Sequence, residues 1–93
     1  MVNGTKICHN MEFSIDAIAT NACLGYNIQF VVLGPNNYRM VRDEGKPPYC
    51  MYGNTATTVY GKILPTLGLY TVSVIPNQRM DWMTTISFQI ISC

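Results

Sequence analysis

The stretch that decides the fold lies at the C-terminal end of the chain and reads Thr84-Thr85-Ile86-Ser87-Phe88-Gln89-Ile90-Ile91. Apolar and polar side chains alternate there with a period of two. That is the pattern of a β-strand with one face in a core and the other in water. A single strand cannot bury such a face by itself, so other strands of the chain must cover or flank it. The stretch therefore predicts a β protein.

Five further stretches alternate in the same way or are rich in β-branched residues. In chain order they are 11–18, 26–33, 38–43, 57–64 and 69–75. Turn residues separate them, most clearly Gly34-Pro35-Asn36-Asn37. No segment shows a helical period. We expect an all-β domain of six antiparallel strands, folded as a sandwich or a small barrel.

The second stretch, 26–33, has apolar side chains on both of its faces. Ile28, Phe30 and Val32 point one way in a regular strand, and Val31 and Leu33 point the other way. A strand of this kind is typical of a position that is covered on both sides. We therefore expect something to pack on each face of it.

Composition limits the class of protein. The 93 residues are 48% hydrophobic and 12% charged, with a net charge of +1. This favours one domain, 1–93, with a real core, in which residues 1–7 form a flexible N-terminus. A charge so small argues against a nucleic-acid partner, and no apolar run is long enough to span a bilayer. We expect a monomer with neither a nucleic acid nor a membrane as partner.

Cysteine usage indicates an oxidising compartment. The four cysteines are Cys8, Cys23, Cys50 and Cys93, and none forms a C-x-x-C pair. With a single histidine, His9, a zinc site is poorly supported, so we expect no metal and no other cofactor. An even number of cysteines in a short chain predicts two disulfides and secretion. Spacing leaves all three pairings open. Cys8 and Cys93 lie at the two ends of the predicted fold, where disulfides would hold termini that otherwise fray.

Catalytic chemistry finds little support. His9 lies beside Cys8, but a nucleophilic pair would need a free thiolate, and Cys8 is expected in a disulfide. Glu12 and Asp16 would lie roughly 13 Å apart along a strand, farther than the carboxylates of a glycosidase. We expect a binding protein and not an enzyme.

Candidate binding residues cluster around the turn after the second stretch. They are Asn36, Asn37, Tyr38, Arg39 and Arg42, to which we add the single tryptophan, Trp82. Arg39 and Arg42 lie on opposite faces of a regular strand. They either protect a sheet edge from aggregation or mark an edge with which a partner pairs. Trp82 is either a plug of its hairpin or an exposed anchor.

The stretch from Cys8 to Cys50 resembles the MAX, or ToxB-like, effectors, small secreted proteins of plant-pathogenic fungi. The matching features are Cys8, Phe13-Ser14-Ile15-Asp16-Ala17, Cys23, the strand 27–32, Tyr38 and Cys50. The resemblance implies a sandwich of two three-stranded antiparallel sheets. It also implies a Cys8–Cys50 bridge, which leaves Cys23–Cys93 as the second bridge.

The effector resemblance also implies a function. The chain would be a secreted virulence protein that binds host-plant proteins, among them small heavy-metal-associated-type domains, by β-augmentation through strand edges and surface loops. It would be translocated into host cells and recognised by host immune receptors.

A second resemblance covers the C-terminal part of the chain. Residues 59–90, with Leu64-Pro65 and Gly68-Leu69-Tyr70, resemble the last three strands of an immunoglobulin-like, fibronectin type III or filamin-type module. In that class a tyrosine near the start of the penultimate strand is usual. This alternative implies an extracellular interaction module of a larger protein, with a different sheet membership and six or seven strands.

Overall fold

The computed structural model describes residues 2–17, 27–45, 49–50, 52 and 61–93. Over these residues the regular elements are strands, together with one turn of 3-10 helix at Met80–Trp82. The strands are β1 Thr5–Cys8, β2 Asp16–Ala17, β3 Ile28–Leu33, β4 Arg39–Glu44, β5 Tyr49–Cys50, β6 Gly68–Pro76 and β7 Thr84–Ile91. The expectation of an all-β protein is confirmed.

Five of these strands form one sheet, in the order β1-β7-β6-β3-β4, and β2 pairs with β5 in a second, two-stranded sheet. The predicted pair of three-stranded sheets is therefore not confirmed. The expectation that all strands are antiparallel is wrong at one place, because β1 runs parallel to β7. Every other strand pair is antiparallel over the residues described.

The strands with the strongest alternation lie where they were predicted. β7 has the predicted bounds, and β6, β4 and the described part of β3 differ from their predicted stretches by one or two residues. Over the described residues 11–17 of the predicted stretch 11–18, the strand is limited to Asp16–Ala17, with Phe13 forming an isolated bridge to Lys62. Residues 57–60 lie outside the described part of the chain, and 61–64 contribute only that bridge.

β1 was not predicted, and it includes residues 5–7, which were assigned to a flexible N-terminus. It pairs with β7 from Thr5 opposite Phe88 to Cys8 opposite Ile91. The amide of Gly4 extends this pairing by donating to the Ser87 carbonyl oxygen at 2.8 Å. The pairing depends on a strand at the far end of the chain, so the local sequence carries no signal for it.

The inner face of the five-stranded sheet carries the core. Its fully buried side chains include Phe30, Val32, Tyr70, Val72, Phe88 and Ile90. Aromatic rings form a connected row through this core. Tyr70 stacks on Phe88 with ring centroids 5.3 Å apart, and Tyr38 meets Tyr70 edge-on at 5.6 Å. Such pairs add about 0.5–1.5 kcal/mol each beyond the burial of their surface.

A disulfide joins Cys8 to Cys93, with their Cα atoms 5.6 Å apart and a sequence separation of 85 residues. The bridges Cys8–Cys50 and Cys23–Cys93, which the effector resemblance implied, are therefore wrong. The reason is the parallel pairing of β1 with β7, which sets Cys8 opposite Ile91, two residues before Cys93. Cys23 lies outside the described residues, as does the side chain of Cys50.

Candidate interaction surfaces

β4 is the last strand of the five-stranded sheet on the side away from the disulfide. Its side chains alternate between exposed and partly buried over Arg39–Glu44. Arg39, Val41 and Asp43 lie on the outer face of the sheet, whereas Met40, Arg42 and Glu44 lie on the core side. In the part of the chain that the structure describes, β3 is the one strand that pairs with β4.

The two arginines of β4 do not share a surface. Arg42 Nε donates to Glu44 Oε1 at 2.8 Å, and the Glu44 side chain is only 15% exposed. This ion pair lies on the core side of the sheet, near the end of β4. Arg39 is exposed on the other face. Of the two arginines predicted as contact residues, only Arg39 is thus exposed on the outer face.

Four apolar side chains on the outer face form what we call the outer patch: Val31, Leu33, Val41 and Leu69. Leu69 is 62% exposed, Leu33 46% and Val41 38%, and Val31 is partly buried between its neighbours. The register joins them, because Val31 faces Val41 and Leu33 faces both Arg39 and Thr71, two residues from Leu69. The prediction that β3 is covered on both faces is wrong for Leu33, which is exposed. The observation behind that prediction holds, because the outer face of β3 carries the apolar side chains of Val31 and Leu33.

The sequence analysis names Val31 and Leu33 for this face but does not place Leu69 or Asp43 on it. Both could have been found from parity. Leu69 precedes the inward Tyr70, and Asp43 follows Arg39 and Val41 at steps of two along one strand.

The turn between β3 and β4 is a tight turn with two central residues, Asn36 and Asn37. Asn36 and Asn37 have φ angles of 56° and 62°, and the Tyr38 amide donates to the Pro35 carbonyl oxygen at 3.2 Å. Positive φ at both central residues defines a type I′ turn, which asparagine tolerates well. Both asparagine side chains are exposed beside the outer patch.

Tyr38 is only partly available to a partner. Its ring packs edge-on against Tyr70, and its hydroxyl lies 3.7 Å from the Met40 sulfur. Burial, with a smaller effect from the Tyr70 phenol, raises the pKa of Tyr38 above its ordinary value. Tyr38 therefore belongs to the edge of the core more than to a contact surface.

Trp82 lies at the opposite end of the sheet from the turn 34–37. Its loop follows Pro76, which faces Ile28, whereas the turn follows Leu33. The two ends of β3 are roughly 17 Å apart along the strand. The structure thus does not bring Trp82 together with the other predicted contact residues.

The hairpin tip that carries Trp82 has its own exposed apolar group. Met80 is 64% exposed, Trp82 44% and Met83 42%, so Trp82 does not plug the hairpin. The Arg79 guanidinium lies 4.2 Å from the centre of the Trp82 ring and also pairs with Asp81 Oδ2 at 2.8 Å. The Arg79 guanidinium thus contacts the Trp82 ring, and its charge is balanced by that of Asp81.

The Cys8–His9 pair does not have the arrangement that a nucleophilic pair would need. The Cys8 sulfur is part of the disulfide, so it provides no thiolate for His9. His9 Nδ1 instead lies 3.4 Å from the Ile91 carbonyl oxygen, beside the β1–β7 pairing. Among the described residues, no group of three or more histidine, cysteine, aspartate or glutamate side chains is arranged to hold a metal ion.

Comparison with protein-family models, with curated proteins and with solved structures found no match to this chain. The described residues include no helix of the length and apolarity needed to cross a bilayer. The function therefore has to be argued from the geometry of the surfaces.

Proposed function

We propose that this chain is an extracellular interaction module of immunoglobulin-like topology that binds a protein partner on the outer face of its five-stranded sheet. The outer patch is the observation that carries the proposal. It places three large apolar side chains in water on a sheet face whose other exposed positions, such as Thr85 and Gln89, are polar. Such a concentration on one face is typical of a protein-binding surface.

The order of the strands supports the immunoglobulin-like alternative. In that class the strands named G, F, C and C′ are neighbours in one sheet, and B pairs with E in the other. The order β7-β6-β3-β4 matches the first arrangement, and the pair β2-β5 matches the second. The division of five strands and two does not match the three and three of the effector pattern.

A hydrogen bond at the start of β6 supports the same class. The Tyr70 hydroxyl donates to the Thr66 carbonyl oxygen at 2.8 Å. A tyrosine near the start of strand F whose hydroxyl bonds to the backbone a few residues upstream is a hallmark of immunoglobulin-like domains. The effector resemblance lacks comparable support, because the bridge that it implies at Cys8 is replaced by Cys8–Cys93.

Secretion and the binding of a protein are shared by both hypotheses. A disulfide that joins the two ends of the fold suits an oxidising, extracellular setting. The flat form of a sheet face suits a protein surface better than a small molecule, since ligand sites are concave. Arg39 borders the patch, and arginine is enriched among residues that dominate binding energy.

The test starts with a photo-crosslinking residue at position 69 in the full oxidised chain, to capture and identify the partner. The affinity of that purified partner is then measured against two patch variants, Leu33→Ser and Leu69→Ser. Each variant should weaken binding about tenfold or more, because each removes a buried apolar contact worth about 1.4 kcal/mol.

Met80→Ser is the matched control. Met80 is as exposed as Leu69, at 64% against 62%, but it lies at the other end of the sheet. It should leave the affinity unchanged. If both patch variants bind as tightly as the unaltered chain, or if Met80→Ser alone weakens binding, the outer patch is not the binding surface.

A further inference from the structure

We propose that two copies of this chain pair through their β4 strands, antiparallel, with the two-fold axis at Val41 and with Arg39 of each copy facing Asp43 of the other. The two five-stranded sheets would then join into one. The inference does not rest on the proposed partner of the outer patch, because it uses the backbone of β4, the charged side chains of Arg39 and Asp43, and only Val41 of that patch.

The first support is that β4 is regular along its length. Its pairing with β3 runs without a break from Ile28 opposite Glu44 to Leu33 opposite Arg39. The opposite side of β4 faces no other strand of the described chain. A regular edge with unpaired peptide groups is a template for pairing with another strand.

The second support is the direction of the peptide groups. The Asn77 amide donates to the Asn27 carbonyl oxygen at 2.6 Å, so odd-numbered residues of β3 turn their peptide groups toward β6. Peptide groups alternate in direction along an antiparallel strand. Even-numbered residues of β3 therefore form their hydrogen bonds with β4, where they face Met40, Arg42 and Glu44. The peptide groups of Arg39, Val41 and Asp43 point the other way, in the plane of the sheet and away from β3, toward its open edge.

The third support is charge. In an antiparallel pair centred on Val41, Val41 meets Val41 of the second copy and Arg39 meets Asp43 at both ends of the pairing. All three residues have outward peptide groups, so each of these positions can exchange two backbone hydrogen bonds. On the outer face, an apolar pair is then flanked by two pairs of opposite charges, which stabilise directly opposed positions.

Other two-fold registers are worse. Centring on Arg42 sets Arg42 against Arg42 and Val41 against Asp43, and like charges directly opposed are destabilising. Centring on Met40 sets Arg39 against Val41 and leaves Asp43 beyond the pairing. The Val41-centred register is the one that matches charge and uses every outward peptide group of the strand.

The inner face of β4 does not oppose the pairing. Inward charges normally protect a sheet edge from association. Here Arg42 is already neutralised by Glu44 of its own chain, at 2.8 Å. In the Val41-centred register the next residue across from Arg42 is Met40 of the second copy, which can pack on the aliphatic part of the arginine side chain.

The experiment is sedimentation equilibrium of the full oxidised chain over a range of concentrations. The unaltered chain should show a reversible monomer–dimer equilibrium. Arg39→Asp should weaken dimerisation about tenfold or more, because two pairs of like charges would then meet, and Asp43→Arg should do the same. The double exchange R39D/D43R should restore the dimer, since both pairs are complementary again with reversed sign.

Two controls separate this result from loss of the fold and from the outer patch. The double exchange shows that both single variants fail through charge and not through unfolding. Leu69→Ser should dimerise as the unaltered chain does, whatever it does to the binding of a protein partner. The proposal would be overturned if the chain stays monomeric at every concentration. It would also be overturned if the dissociation constant of the dimer is the same for the unaltered chain and for both single variants.

Discussion

The Tyr70 hydroxyl donates a 2.8 Å hydrogen bond to the Thr66 carbonyl oxygen and so fastens the start of β6 to the loop that precedes it. Its neighbour in the core, Tyr52, is also buried, but its hydroxyl has no hydrogen-bond partner in the structure as far as that is described. The two phenols therefore serve different purposes, and the same substitution at each should have different effects.

Tyr70→Phe should lower the free energy of unfolding by about 1 kcal/mol, because it leaves the Thr66 carbonyl without its donor. Tyr52→Phe removes a buried hydroxyl that makes no bond, so it should leave stability unchanged or raise it. Urea denaturation of both variants under identical conditions measures the difference. An equal loss in the two variants would contradict the hydrogen bonding described here.

Alkaline pH should destabilise the fold. Burial, followed by the neighbouring phenols of Tyr38 and Tyr70, raises the pKa of Tyr52 far above its ordinary value of 10.0. Below pH 10 the tyrosine is neutral in both states. Above it the unfolded chain loses this proton and the folded chain keeps it. Since the folded state then binds more protons, stability falls as the pH rises.

The measurement is the free energy of unfolding at several pH values between about 8 and 11, which bracket the tyrosine pKa in an unfolded chain. The unaltered chain should lose stability across the upper half of that range. Tyr52→Phe should lose less, because it removes the largest contribution. A loss of the same size in the variant would assign the effect to Tyr38 and Tyr70, whose pKa values are also raised.

Gly34 is required by the close approach of the β3–β4 turn to the core. A Cβ atom at this position would overlap ring carbons of Tyr70. Because that ring is stacked on Phe88 and cannot move freely, Gly34→Ala should destabilise the fold by about 1–3 kcal/mol. Gly45→Ala is the control, since nothing lies within 4 Å of its Cβ position. Thermal unfolding compares them, and a neutral Gly34→Ala would contradict the packing.

The sequence predicts the fold well where a strand has one buried and one solvated face. β7 alternates Ile86, Phe88 and Ile90 with polar residues, and its bounds are the predicted ones. β1 could not be predicted, because its few residues have a weak pattern and their parallel partner lies at the far end of the chain. Which strands share a sheet depends on such distant pairings. The division into a five-stranded and a two-stranded sheet could therefore not be predicted from the local sequence either.

The candidate surfaces were predictable in part. The sequence shows the apolar outer side of β3, since Val31 and Leu33 break the alternation, but it predicts a strand covered on both faces and not a binding surface. The sequence predicts Arg42 as a contact residue, but in the structure its guanidinium pairs with Glu44, two residues away on the same face of β4. The separation of Trp82 from the turn depends on which strands are neighbours, which the local sequence does not show.

The disulfide gives the last prediction. The Cys8–Cys93 link closes a loop of 85 residues, which in the chain-entropy model stabilises the folded state by roughly 4.5 kcal/mol. The double variant C8S/C93S should therefore unfold at a much lower denaturant concentration than the unaltered chain. Because β1 has few other contacts to hold it, amide exchange in Thr5–Cys8 should accelerate more than exchange in β6.

Peptide mapping without reduction checks the connectivity on which that prediction depends. It should recover Cys8 joined to Cys93, and if the chain carries two disulfides, as its even cysteine count indicates, Cys23 joined to Cys50. Recovery of Cys8 joined to Cys50 would revive the effector pairing. Because one cysteine cannot form both bridges, it would also mean that no disulfide joins Cys8 of β1 to Cys93, which follows β7. A loss of stability in C8S/C93S would then need another cause.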